Sequence, residues 1–194
     1  MKHKTDLDHI RLTLAGDAHA FSLLVEKHKD VVFHLTLKLL KNREEAEEVA
    51  QDTFVKAYRY LPKFKGESKF STWLYKIAYN TSLDAIKKNS NAFRNVTIDE
   101  VTVNQISAVE TVLDGIEKEE RTRVIRECMN ELQEEERGLL FFFYFKELSL
   151  KEIVEITSMR EANVKVKLHR ARKKLLHIVK QSVEPELISH YGRT

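Results

Sequence analysis

This chain has few of the residues that interrupt helices, and few of those that cross-link small folds. Five Gly and two Pro in 194 residues leave little material for the tight turns of a sheet protein, so the composition favours helices. The single cysteine, Cys128, excludes an internal disulfide and fits a reducing compartment such as the cytoplasm. Set in an apolar helical pattern, it reads as a buried structural thiol. No apolar run approaches the ~20 residues of a membrane span, so no membrane insertion is expected. The opening MKHKTDLDHI lacks the apolar centre of a signal peptide. Also missing are the HExxH, CxxC, P-loop and GxSxG patterns. His169 and His177 stand among lysines, where charge opposes a metal cation. These absences argue against an enzyme and against any cofactor or metal site. The net charge of +3 is no polycation's, so the placement of charge matters more than its sum.

What is present is helical periodicity, in 42 % hydrophobic and 32 % charged residues. Asp17 can cap a helix from Ala18, with Ala20, Leu23, Leu24, Val31, Leu35 and Leu39 as its apolar positions. Asn42 can cap another from Arg43, on which Ala46, Ala50, Ala57 and Leu61 share a face with Phe54 at its edge. Pro62 ends it. After a loop from Phe64 to Lys69, helical spacing resumes with Phe70, Leu74, Ile77, Ala78, Thr81 and Ala85. Residues 91–120 differ: Arg94 and Lys118 are outnumbered by Asp99, Glu100, Glu110, Asp114, Glu117, Glu119 and Glu120, which predicts a flexible acidic linker. A second helical block follows, with Val124, Cys128, Leu132, Leu139, Leu140, Phe143 and Leu148 in its core. Ser149 and Glu152 match a capping box for a short helix, Leu150–Ile156. A turn at Ser158–Arg160 and a long helix, Glu161–Lys180, complete a helix–turn–helix pattern. The expected fold is all-α: two small helical domains, 5–92 and 121–183, joined by the linker 93–120 and followed by a frayed tail, 184–194.

Two surfaces carry chemistry. The stretch Phe64–Lys88 joins a basic, aromatic loop (Phe64, Lys65, Gly66, Ser68, Lys69) to a helix bearing Trp73, Tyr75, Lys76, Tyr79, Asn80, Lys87 and Lys88. Rings stack on any base face and lysines neutralise the flanking phosphates, so this mixture suits a strand that is open or opening. Trp73 could equally be core, and Tyr79 reads as core rather than surface. On Glu161–Lys180, Val164, Leu168, Ala171, Leu175 and Ile178 form one apolar face. From Arg160 to Lys180 there are eight Lys/Arg and one acid, Glu161. Apolar inside and cationic outside is what a recognition helix needs in a major groove.

With these segments in order, the chain resembles the extracytoplasmic-function (ECF, group IV) sigma factors of bacterial RNA polymerase. Gly16-Asp17-Ala18-His19-Ala20-Phe21 is similar to that family's GDxxAF. Asn42 to Phe54 resembles N-R-x-D-A-E-D-x-x-Q-x-x-F. Phe64 to Leu74 resembles F-x-G-x-S-x-F-x-T-W-L, and Ile77 to Asn80 resembles I-A-x-N. Glu152-Ile153 and Asn163 to Arg172 resemble E-I-A and T-V-K-S-R-L-x-R-A-R. Departures are Val154 for Ala, Ser158 where the turn often has Gly, Asn163 for Thr, and Val166 for Ser, where a methyl can meet a thymine methyl instead of a hydroxyl meeting a base.

The resemblance implies a non-enzymatic initiation factor that binds core RNA polymerase and promoter DNA, with an anti-sigma factor as a further partner. At the −10 element the loop would hold a flipped base, Phe64 supplying packing and Ser68 a hydrogen bond, with Lys65, Trp73 and Asn80 beside it, while Lys69, Lys76, Lys87 and Lys88 would follow the backbone. Arg160, Asn163, Lys165, Val166, Lys167, His169, Arg170 and Lys173 would meet the −35 element, Arg170 reading guanine in bidentate fashion. Opposite the alanine face of Arg43–Tyr60 lie Glu44, Glu45, Glu48, Asp52 and Arg59, with Gln51 on the flank. That acidic stripe repels phosphate and suits a basic protein partner, which the resemblance identifies as the polymerase clamp. A stand-alone helix–turn–helix regulator would leave the Phe64–Lys88 surface and this stripe unexplained. A protein-binding adaptor would leave the basic helix unexplained.

Overall fold

Local capping chemistry sets most of the helix boundaries. In the computed structural model, which describes residues 5–89 and 118–191, Thr5 opens α1 (Asp6–Leu14) with a reciprocal capping box to Asp8. The Thr5 amide donates to the Asp8 carboxylate at 2.8 Å, satisfying the groups a helix start leaves over. Sequence periodicity began only at Asp17, so this helix is an addition to the expected set. Asp17 caps α2 (Ala18–Leu40), and Asn42 caps α3 (Arg43–Tyr60), both as expected. A 3₁₀ turn at Leu61–Lys63, carrying Pro62, closes α3. Then α4 covers Phe70–Asn89.

The expected acidic linker lies largely outside the described residues. Its last residues, from Lys118, open α5 (Lys118–Met129). Next come α6 (Glu134–Leu140), which runs on as a π-helical turn at Phe141–Phe145, and α7 (Leu150–Thr157) under the Ser149–Glu152 capping box. Ser158 takes the left-handed conformation, φ 57°, so the tight turn is made without glycine. Finally α8 spans Glu161–Tyr191. Its helical backbone extends past Lys180 through most of 184–194, where fraying was expected. No strand occurs among the described residues.

The first four helices bury Ala20, Leu24, Val32, Leu35, Leu39, Ala46, Ala57, Phe70, Leu74 and Ala78. One expected core position is corrected: Leu23 is 41 % exposed. The inward stripe of α2 passes instead through Leu24, His28 and Val32, because α1 and α3 flank that side. The later helices bury Cys128, Met129, Leu132, Leu139, Leu140, Ile153, Ile156, Val164, Leu168, Ala171 and Leu175.

These two groups of helices are not separate. α7 lies against α4, and α6 against the end of α2, in one continuous apolar cluster. Phe142, fully buried, meets Tyr75 and Tyr79 of α4 at centroid distances of 6.4 and 5.8 Å. Each such buried ring contributes about 2–3 kcal/mol through apolar area alone.

Candidate nucleic-acid and polymerase interfaces

The loop after α3 is shaped by one residue that needs a positive φ. Gly66 sits at φ 73°, a conformation in which any Cβ adds strain. The loop is anchored by rings: Phe64 lies 5.2 Å from Trp73 and 5.9 Å from Phe70, and Phe70 lies 5.7 Å from Trp73. Phe70 is buried, while Phe64 and Trp73 are half-buried. Trp73 packs on Phe64 and Phe70 and keeps part of its surface exposed.

Beside the loop is an open cleft of about 640 Å³, lined by Thr5, Asp6, Lys27, Ser68, Lys69 and Phe70. Asp6 bonds Lys27 at 2.7 Å and His28 at 3.1 Å. Burial pushes the Asp6 carboxyl up, but the hydrogen bonds and charges of Lys27 and His28 outweigh it and hold the group below its ordinary range. The α1 contribution to this cleft had no counterpart in the sequence reading. Its only sequence signal was the Thr5-x-x-Asp8 spacing.

Along α4, Trp73, Lys76, Asn80 and Lys87 recur at helical steps of three, four and seven, and so share one side. Lys65, Lys69, Asn80, Lys87 and Lys88 are exposed, Ser68 and Lys76 half-buried. Of the other rings on α4, Tyr79 is core as expected, 1 % exposed, and Tyr75 is buried as well, 7 % exposed. Their i, i+4 spacing directs both toward Phe142, so neither stacks on a base while the two helix groups are packed. The Tyr79 hydroxyl is buried without a hydrogen-bond partner, and burial pushes its ionisation far up. Lys69 is engaged too: its Nζ bonds Glu152 of α7 at 2.9 Å.

The outer side of α3 presents Glu44, Glu48, Gln51 and Asp52 exposed, with Glu45 half-buried. Next to them stand Val55 and Tyr58, 56 % and 49 % exposed. Phe21 supports Tyr58 edge-on at 4.9 Å. Sequence reasoning missed these two, although both fall off the alanine face. Acids beside an exposed ring and methyls suit a partner that is basic with an apolar strip.

On α8, Val164, Leu168 and Ala171 are buried against the core. Arg160, Asn163, Lys165, Val166 and Lys173 are exposed, and Lys167, His169 and Arg170 half-buried. Several cations are held within the fold. Lys165 pairs with Glu161 at 2.7 Å, Lys167 with Glu135, and Lys174 with Glu136 at 3.1 Å. Arg172 lies over Phe143 at 4.6 Å and over Tyr144 at 5.4 Å. The basic face is therefore narrower than composition suggests, and its outward part lies toward the N-terminal half of α8.

Family models match in the same order as these surfaces: Sigma-70 region 2 over residues 24–92 and Sigma-70 region 4 over residues 122–175. Among curated proteins, the chain is 33 % identical over 172 residues to the ECF RNA polymerase sigma factor SigW of Bacillus subtilis, covering 86 % of this chain and 92 % of that one. It is 32 % identical to the RNA polymerase sigma-H factor of Pseudomonas aeruginosa, covering 81 % and 84 %. Among solved structures, CnrH in complex with the cytosolic domain of CnrY superposes with a TM-score of 0.65 at 21 % identity, covering 92 % of this chain and 99 % of that one. The sigma factor RpoE in complex with the anti-sigma factor NepR from Bartonella quintana gives 0.61 at 19 % identity, covering 82 % and 96 %.

Proposed function

The chain belongs to the ECF RNA polymerase sigma factors, and from that premise we propose how its residues divide the work. As a sigma factor it binds core RNA polymerase and directs promoter-specific transcription initiation. We place it in group IV of that class and in the cytoplasm. No described helix is long and apolar enough to cross a membrane.

Residues 5–92 form the unit for the polymerase clamp and the −10 element, 93–120 the strap, and 121–183 the unit for the −35 element. The cleft beside Gly66 and the α4 side bearing Trp73, Lys76 and Asn80 take the opened −10 strand. Phe64 packs on a flipped base, Ser68 offers a hydrogen bond, and Lys65, Lys69, Lys87 and Lys88 follow the phosphates. Asn163, Val166 and Arg170 face base edges at −35, while Arg160, Lys165, Lys167, His169 and Lys173 serve phosphate contact and position. The stripe Glu44, Glu45, Glu48, Gln51 and Asp52, together with Val55 and Tyr58, docks on the clamp. An anti-sigma protein competes for these faces.

The single observation that carries this reading is the acidic stripe on the same helical unit as a cationic, ring-walled loop. One unit thus shows a surface that repels phosphate and another that attracts it, as a bridge between polymerase and promoter needs. Run-off transcription with purified core polymerase and a promoter library is the test. Asp52→Lys is expected to weaken core binding about tenfold, a change of about 1.4 kcal/mol, with helix content intact. Asn80→Ala and Phe64→Ala are expected to slow open-complex formation while leaving core binding within twofold. Equal losses in both assays remove the loop from the −10 contact, and an unchanged core affinity in Asp52→Lys removes the stripe.

A further inference from the structure

Lys69 apart, the two units meet through residues that neither proposed surface uses. Arg137, in the first turns of α6, is 1 % exposed. Its guanidinium donates to the carbonyl of Leu132 in its own unit, and across the contact to those of Lys38 at 2.7 Å and Leu39 at 2.9 Å. These last carbonyls belong to the final turn of α2, where helix carbonyls lack intrahelical partners and the dipole is negative. A planar guanidinium with five donors can take several such acceptors at once. Beside it, Gly138 lets the units approach. A Cβ there would stand 3.0 Å from Tyr79 Cε2 and 3.2 Å from Leu39 Cδ2. Both neighbours are only 1 % exposed, so packing holds them in place. Phe142 fills the centre of the contact, and the Lys69–Glu152 pair closes its rim. One group opposes closure: the unpartnered Tyr79 hydroxyl, which water satisfies once the units part.

A protein that reads both promoter elements needs its two readers apart. The −10 and −35 elements lie about 25 base pairs from one another, which is about 85 Å at 3.4 Å per pair. Here Lys69, beside the loop, touches Glu152 in the first turn of the helix just before the recognition helix. The chain between Asn89 and Lys118 spans at most about 100 Å when fully extended, so it can reach the separated arrangement. The closed and the promoter-bound geometries exclude each other.

We propose that the Arg137–Gly138 corner of α6, seated on Lys38, Leu39 and Tyr79, is an intramolecular latch that holds the unbound chain closed, with α7 over α4, and that DNA engagement requires its release. The proposal deepens the function given above and rests on it, because Lys69, tied to Glu152, counts as a masked contact only as a reader of the −10 strand.

The test uses the full chain and two substitutions of opposite sign at one place. Gly138→Ala favours its own helix but drives a methyl into the Tyr79 ring. Its small-angle scattering radius is expected to exceed that of the unsubstituted chain by about 5 Å or more, against about 16 Å for a compact chain of this length. Its affinity for a fluorescein-labelled, mixed-sequence single strand of twenty nucleotides is expected to rise about tenfold, or about 1.4 kcal/mol. Tyr79→Phe removes the orphan hydroxyl, and is expected to keep the radius and weaken that binding about threefold by the same relation. Circular dichroism reports whether each variant keeps its helices; if Gly138→Ala loses them, Tyr79→Phe decides, tighter or equal binding counting against the latch. An unsubstituted chain that is already extended overturns the latch, as does a helical Gly138→Ala that stays compact or that opens without binding more tightly. The −10 assignment is read separately. In the Gly138→Ala background, Lys76→Ala and Asn80→Ala should each reduce binding. Without a loss in either, the strand binds elsewhere and that assignment falls, while the scattering result still judges the latch.

Discussion

The first four helices and the last four meet the same requirement, burial of apolar faces, by different means. α2, α3 and α4 are long, from 18 to 23 residues, and pack chiefly on one another. In the second group, α6 and α7 have only seven and eight residues, and α7 packs more widely on α4 than on its own successor α8. Short helices gain little from hydrogen bonding alone and depend on tertiary packing. The second group therefore borrows part of its packing from the first. The lender is α4, the helix proposed to hold the opened strand, which packs through Tyr75 and Tyr79 and shows Asn80 and Lys87 on another side.

The largest expected effect separates the two groups energetically. Leu74 and Leu168 are 0 % and 2 % exposed, and truncating such residues typically costs about 2–5 kcal/mol. Trp73, the only tryptophan, reports on the first group by its emission. Leu74→Ala should lower the urea midpoint seen both by Trp73 and by total helicity. Leu168→Ala should lower the helicity midpoint and leave Trp73 emission nearly unchanged. If both variants shift both signals equally, the chain unfolds as one unit and the comparison fails.

Caps come next. Asn42 and Ser149 do the same work at the starts of α3 and α7, accepting from Glu45 at 3.1 Å and Glu152 at 3.3 Å. Loss of either side chain is expected to cost about 1 kcal/mol. The shorter helix has less else to hold it, so Ser149→Ala should open the contact with α4 at lower urea than Asn42→Ala does, as followed by hydrogen exchange of α7 amides.

The smallest effect is electrostatic. Lys69, bonded across the rim, and the Ser149 amide hold the Glu152 carboxyl at about 2. A carboxyl depressed in the folded state adds stability that is full above its unfolded value, near 4.3, and is lost as pH falls toward 2. The pair is largely exposed, so its share is at most about 1 kcal/mol. Between pH 5 and pH 2 the urea midpoint of the native chain should fall slightly more steeply than that of Glu152→Gln. Identical slopes would remove the pair from the contact's stability. Lys69→Met isolates the part that crosses between the units.

Much of the fold was legible in the residues. Caps at Asp17, Asn42 and Ser149, the stop at Pro62 and the left-handed Ser158 are local events, decided within about four residues, and they stand where the spacing put them. Apolar periodicity located Leu74, Leu168 and their neighbours because burial follows the helical repeat. α1 was not read, since nine residues provide too few turns for periodicity to emerge. Leu23 was misassigned because several apolar residues flank the true stripe, and only the placement of α1 and α3 selects among them. Of the candidate sites, the motifs marked the loop and α8. Burial then withdrew Tyr75 from the strand surface, kept Tyr79 in the core and tied Lys167, Arg172 and Lys174 into the fold, while exposure added Val55 and Tyr58 to the acidic stripe.

Composition and spacing alone determined that this chain is helical, that it carries two cationic stretches, here proposed as readers, and that a third face is acidic, because these properties depend on residue type and on neighbours within a turn or two. Tertiary structure alone decided that the readers are packed together, that Arg137 spans the gap to the end of α2, and that Gly138 makes room for a tyrosine 59 positions earlier. Such contacts join segments with no common periodicity. They depend on the shapes and carbonyl positions that folded helices present to each other, and no local pattern encodes those.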